Sequence, residues 1–80
     1  MTRKNRVVKS INNEDENRCV DIFLRSDATF GFEEYRRECE DNRGWFAVGF
    51  FASKVFSSEK QALDAALLRV PWLKDAMTAG

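Results

Sequence analysis

The sequence has no histidine, two cysteines and one proline. Without histidine, zinc sites that use imidazole ligands are excluded, and so is Ser–His or Cys–His catalysis. Two cysteines cannot complete a thiolate zinc site on their own. The net charge is zero, so the basic excess of a general nucleic-acid binder is missing. No apolar run approaches the ~20 residues of a membrane helix. The opening residues, 1–10, lack the apolar stretch of a signal peptide, which leads us to expect a cytoplasmic domain. Gly31, Gly44 and Gly49 are too scattered for a phosphate loop. Nothing in the sequence calls for a metal or cofactor.

Aromatic side chains are plentiful: seven Phe, two Trp and one Tyr among 80 residues. With 44% hydrophobic residues, the chain can build one small core. We expect a single domain over residues 1–80, with residues 1–5 flexible. The zero net charge hides an uneven layout. Residues 1–13 carry Arg3, Lys4, Arg6 and Lys9 and no acid. Residues 14–41 carry ten acids against four Arg, and residues 42–80 five basic and three acidic side chains. The acidic middle is the outstanding electrostatic feature.

Alternation predicts strands at 7–11, 19–25 and from Thr29 onward, separated by polar turns at 12–17 and 26–28. In the second strand Val20, Ile22 and Leu24 share one face, and Cys19, Asp21, Phe23 and Arg25 the other. Phe30 and Phe32 share a face, but Tyr35 has the opposite parity. A bulge near Glu33 or an outward-pointing Tyr35 would explain this. Trp45–Phe51 is the strongest strand pattern, with Phe46, Val48 and Phe50 on one face and a tight turn at Ala52-Ser53 leading to residues 54–56. Ser58 followed by Gln61 reads as a helix N-cap with a capping box. Ala62, Leu63, Ala66, Leu67 and Val70 form the stripe of that helix, and Pro71 ends it. A short second helix is expected over 72–77. The order implies an α+β fold: an antiparallel sheet of three to five strands, one amphipathic C-terminal helix packed on one face, and a short helical tail. Phe46, Val48 and Phe50 are expected to meet the helix, so that Phe46→Ala would cost ~2–5 kcal/mol.

Three constellations carry possible chemistry. Glu33, Glu34, Glu38, Glu40 and Asp41 cluster in one hairpin arm and its turn, among Arg36, Arg37 and Arg43, with Glu14, Asp15 and Glu16 in another loop. Paired carboxylates do acid–base work only when buried in a pocket, and no apolar cover is evident, so no enzymatic activity is expected. The alternatives are a solvated, partly salt-bridged face or an acidic surface that imitates nucleic-acid phosphates and docks on a basic groove. The second constellation is Tyr35, Trp45 and Phe51. It offers a protein-binding aromatic patch, a homodimer face or a base-stacking surface. Arg43–Phe50 partly resembles the aromatic strand motif of RNA-recognition modules, with the aromatic and small positions exchanged at Phe46 and Ala47. The basic arm at 3–9 is the third. Cys19 and Cys39 are expected to be free thiols, since no histidine is present to activate them.

Thr29 to Leu73, with Gly31-Phe32-Glu33-Glu34-Tyr35-Arg36-Arg37, Gly44-Trp45-Phe46, Val55-Phe56-Ser57-Ser58-Glu59 and Val70-Pro71-Trp72-Leu73, resembles small uncharacterised proteins of alphaproteobacteria and their prophages. In size, fold and acidity the chain is also similar to phage-encoded anti-CRISPR proteins. Those are non-catalytic inhibitors that cover a Cas protein, often over its DNA-binding surface. This resemblance implies a phage or prophage inhibitor, monomeric or homodimeric, that blocks a basic nucleic-acid groove on a host complex such as a CRISPR-Cas surveillance complex. The partner-binding residues expected on that reading are Glu33, Glu34, Tyr35, Glu38, Glu40, Asp41 and Trp45. The alternatives are a small RNA- or DNA-binding module using the Trp45 face, and a homodimeric interaction domain.

Overall fold

The computed structural model describes residues 5–38 and 44–78. Arg3, Lys4, Cys39, Glu40, Asp41 and Arg43, and with them most of the expected flexible arm and the turn of the acidic hairpin, lie outside the described residues.

The fold is α+β. Four strands, β1 (Arg6–Asn12), β2 (Arg18–Leu24), β3 (Phe30–Arg37) and β4 (Trp45–Ala47), form one antiparallel sheet in the order β1-β2-β3-β4. Two helices follow, α1 (Glu59–Arg69) and α2 (Leu73–Thr78). Each strand therefore pairs with its neighbour in sequence.

The turns explain where the strands stop. Between β1 and β2 the Asn13 carboxamide accepts the backbone N–H groups of Asn17 and Arg18, each at 3.0 Å. Between β2 and β3 the Asp27 carboxylate accepts from the Thr29 N–H and hydroxyl, which holds its carboxyl below the usual range. Ala28 takes a left-handed φ of 69° within that turn. In β1 the register slips between Val7 and Lys9, a bulge that sends Val8 toward the core.

The β2–β3 register runs without a break from Arg18↔Arg36 to Leu24↔Phe30. Tyr35 therefore faces away from the core, opposite Cys19, and no bulge is needed at Glu33. Val20, Ile22 and Phe32 line the covered face and are fully buried with Ala62, Ala66, Val70 and Leu73. The helix stripe read from the sequence is the packed one. Its N-cap is Ser58, whose hydroxyl accepts the Gln61 N–H at 3.1 Å. The reciprocal arm reaches one residue further back: the Gln61 amide oxygen accepts from the N–H and hydroxyl of Ser57.

The structure corrects the segment 45–51. Its strand is only three residues long, and Phe46 and Phe50 do not reach the helix. Phe50 is 79% exposed and takes a left-handed φ of 56°. That inversion ends the alternation and turns Phe51, expected on the outer face, onto Phe32, with ring centroids 5.0 Å apart. Phe56 closes the other side of Phe32 at 5.9 Å. Its backbone exchanges two hydrogen bonds with Phe30, so residues 54–56 make a bridge to β3 rather than a hairpin strand.

Candidate functional site

The helices cover one face of the sheet and leave the other bare of helix, although Cys19, Phe23 and Glu33 are buried on it. Ser10, Asn12, Cys19, Asp21, Tyr35, Arg37 and Trp45 come from four strands to that bare face by simple alternation. With Glu16 from the β1–β2 turn they line an open depression of about 430 Å³.

Arg37 holds one wall in place. Its guanidinium donates to the Glu16 carbonyl at 2.9 Å and lies 4.9 Å from the Trp45 ring centroid. Its own N–H bonds the Asn17 carbonyl at 2.9 Å. The turn, β3 and β4 are thereby joined at this end of the sheet. Trp45 remains 41% exposed, with Arg37 over its ring.

The floor is a hydrogen-bonded trio. The Ser10 hydroxyl donates to the Asp21 Oδ1 at 2.7 Å, the Cys19 thiol donates to the same oxygen at 3.2 Å, and Ser10 and Cys19 are 3.2 Å apart. Burial, assisted by the Asp21 charge and opposed by the Ser10 hydrogen bond, pushes the Cys19 thiol up to about 11. Burial, then the charges of Asp21 and Glu33, raises the Tyr35 phenol above its ordinary range. Both groups are protonated at neutral pH, and the Cys19 proton is the one given to Asp21.

The thiol shift has a measurable consequence. Free cysteine titrates near 9.0 and the folded Cys19 near 11, so the folded protein binds more protons between those values. In a Cys39→Ser background, the Cys19 contribution to stability is expected to be constant below about pH 9 and to be lost as pH rises through 11. Replacing Cys19 by Ser should flatten that slope. Iodoacetamide should modify Cys19 far more slowly at pH 8 than it does an unfolded control.

The acidic hairpin looks different from what its sequence implies. Glu33 is 4% exposed and Glu34 8% exposed, on opposite faces of β3, so neither offers its charge to a partner. The Glu33 carboxylate accepts the backbone N–H groups of Glu34, Phe51 and Ala52 at 2.9, 3.2 and 3.2 Å. Glu34 accepts the Trp72 indole N–H at 2.9 Å and pairs with Arg18 at 3.3 Å. Glu38 pairs with Arg36 at the surface. The expected free acidic surface is therefore corrected at Glu33 and Glu34. Their carboxylates are engaged by backbone and indole donors and by Arg18 rather than left free. Glu40 and Asp41 lie outside the described residues.

Of the expected partner-binding residues, the structure brings Tyr35 and Trp45 together, while Phe51, the third member of the aromatic patch, packs at the core's margin instead. Asp21, Ser10 and Arg37 join the site without having been singled out, and Glu16 joins it from the acidic loop at residues 14–16. The parity of Cys19 and Asp21 on β2 was a usable signal for that face, whereas the position of Glu16 depends on the turn. Among the described residues no group of three or more His, Cys, Asp or Glu side chains is arranged to hold a metal ion. No helix among them is long and apolar enough to cross a membrane. Compared with known proteins, the chain matches no family model, no curated protein and no solved structure.

Proposed function

We propose that this is a non-catalytic binding protein that docks through the bare face of its sheet onto a basic surface of a host protein, covering a groove that nucleic acid would otherwise occupy. The observation that carries this reading is the depression in which Tyr35 and Trp45 stand beside the carboxylates of Asp21 and Glu16. Aromatic walls beside carboxylates suit the long apolar stem and cationic head of a Lys or Arg side chain. The same carboxylates repel phosphate, which disfavours direct nucleic-acid binding by the Trp45 face. Occupation of a Cas protein's DNA groove is the form of this activity that the likeness to anti-CRISPR inhibitors suggests. In that form the acidic contribution comes from Asp21 and Glu16, to which Glu38, Glu40 and Asp41, next in sequence after β3, would add.

The test is an NMR titration of the labelled protein with an arginine-rich peptide and, separately, with a mixed-sequence single-stranded oligonucleotide. We expect the peptide to shift the Trp45 indole and the Tyr35 and Asp21 resonances, and the oligonucleotide to leave them in place. Asp21→Asn with Glu16→Gln should weaken the peptide shifts by at least about threefold. Charge removal at Glu38, Glu40 and Asp41 together should weaken them less. A salt-sensitive response to the oligonucleotide at the same resonances would replace this reading with a nucleic-acid-binding module.

A further inference from the structure

Two carboxylates line the depression without a cation of their own. Asp21 accepts the Ser10 hydroxyl and the Cys19 thiol through Oδ1 alone. Among the described residues its Oδ2 accepts nothing, and the Glu16 carboxylate has neither a hydrogen bond nor an ion pair. Arg37 lines the same depression but is engaged elsewhere, by the Glu16 carbonyl and the Trp45 ring. Glu16 is fixed by its backbone. It sits at a left-handed φ of 57°, its N–H bonds the Asn13 carbonyl at 3.1 Å and its carbonyl holds Arg37. Its charge is therefore presented from a preorganised turn.

The aromatic walls accept a flat cation. The Arg37 guanidinium already lies 4.9 Å from the Trp45 ring centroid. Tyr35, half-buried in the same depression, has no cation over its ring among the described residues.

We infer that the depression is selective for arginine: it takes one arginine side chain of a partner protein, in preference to lysine. This deepens the proposed docking of the bare sheet face on a basic surface and rests on that reading. The unpartnered oxygens come from two elements, β2 and the β1–β2 turn. A guanidinium spreads five donors around a planar fork, so it addresses Asp21 Oδ2 and Glu16 together while its face lies on the Tyr35 ring. An ammonium is a compact, strongly hydrated charge that stacks less well on a ring. It gains one acceptor at Asp21, because Oδ1 is already taken twice, and gives up more hydration to reach it.

The test compares hexa-arginine with hexa-lysine, of equal length and charge, titrated separately into the labelled protein and followed by NMR at Trp45, Tyr35 and Asp21. We expect hexa-arginine to bind at least about tenfold more tightly. Asp21→Asn keeps the Oδ1 acceptor for Ser10 and Cys19 but removes the charge. Tyr35→Leu removes the stacking surface. Each should bring the two peptides within about threefold of one another. If Tyr35→Leu fails to fold, Asp21→Asn alone decides. Affinities within about twofold for the two peptides in the unmodified protein would overturn arginine selectivity and leave the docking reading standing. An arginine preference undiminished in the folded variants would overturn it as well, because the arginine would then sit elsewhere. Absence of shifts with both peptides would overturn the docking reading and this inference with it.

Discussion

Phe32→Ala is expected to destabilise the domain by about 3–5 kcal/mol, whereas Phe46→Ala should cost no more than about 1 kcal/mol. Phe32 is fully buried between the Phe51 and Phe56 rings and beneath α1, so truncation removes its own apolar surface and leaves a cavity walled by both partners. Phe46 is 38% exposed on a three-residue strand at the sheet's edge. A domain of 80 residues is expected to have a total stability of about 4–12 kcal/mol, so the first substitution removes a large part of it. Thermal melts followed by far-UV circular dichroism check this. The Phe32 variant should lose more than about 12 °C in Tm or fail to fold, and the Phe46 variant should stay within a few degrees of wild type. Comparable losses for the two would mean that Phe46 packs in the core after all.

The second large effect is expected at Glu33. Glu33→Ala removes the acceptor for the Phe51 and Ala52 N–H groups and frees the segment that carries Phe51 into the core. We expect a loss of about 2–4 kcal/mol. Glu33→Gln keeps one acceptor oxygen and the length of the side chain, so its cost should be about half as large. Hydrogen exchange reads the mechanism directly. The amides of Phe51 and Ala52 should lose protection in Glu33→Ala, while those of Ala66 and Val70 change only with global stability. Equal protection at all four positions relative to the global value would show that the carboxylate does not hold the segment.

These two residues also show what a reader of the sequence could and could not have seen. The core face of β2, the Ser58 cap, the stripe from Ala62 to Val70 and the stop at Pro71 follow from period and local chemistry, and the structure contains each of them. Residues 45–51 misled because alternating aromatics imply a half-buried strand only while the backbone stays extended. One left-handed residue, Phe50, exchanges the faces from that point onward. Glu33 and Glu34 misled for a different reason. Adjacent carboxylates beside arginines read as a solvated surface, and what buries them comes from far along the chain. Trp72 is 38 residues from Glu34, and the Phe51 amide is 18 from Glu33. No local pattern announces such partners. At the candidate site, Tyr35 and Trp45 stood out as aromatics. Asp21 acquires meaning only once the register places it near Tyr35 and under the Ser10 hydroxyl.

The strand order has a kinetic consequence. Because every strand pairs with its sequence neighbour, the whole sheet can assemble by successive short hairpin closures, none of which must bring distant parts of the chain together. The costlier loop closures come only when Phe56 meets Phe30 and the helices settle on the sheet. A chain wired this way should refold faster than a Greek-key protein of equal length, with the sheet's hairpins forming early and Trp72 reaching Glu34 late in the process.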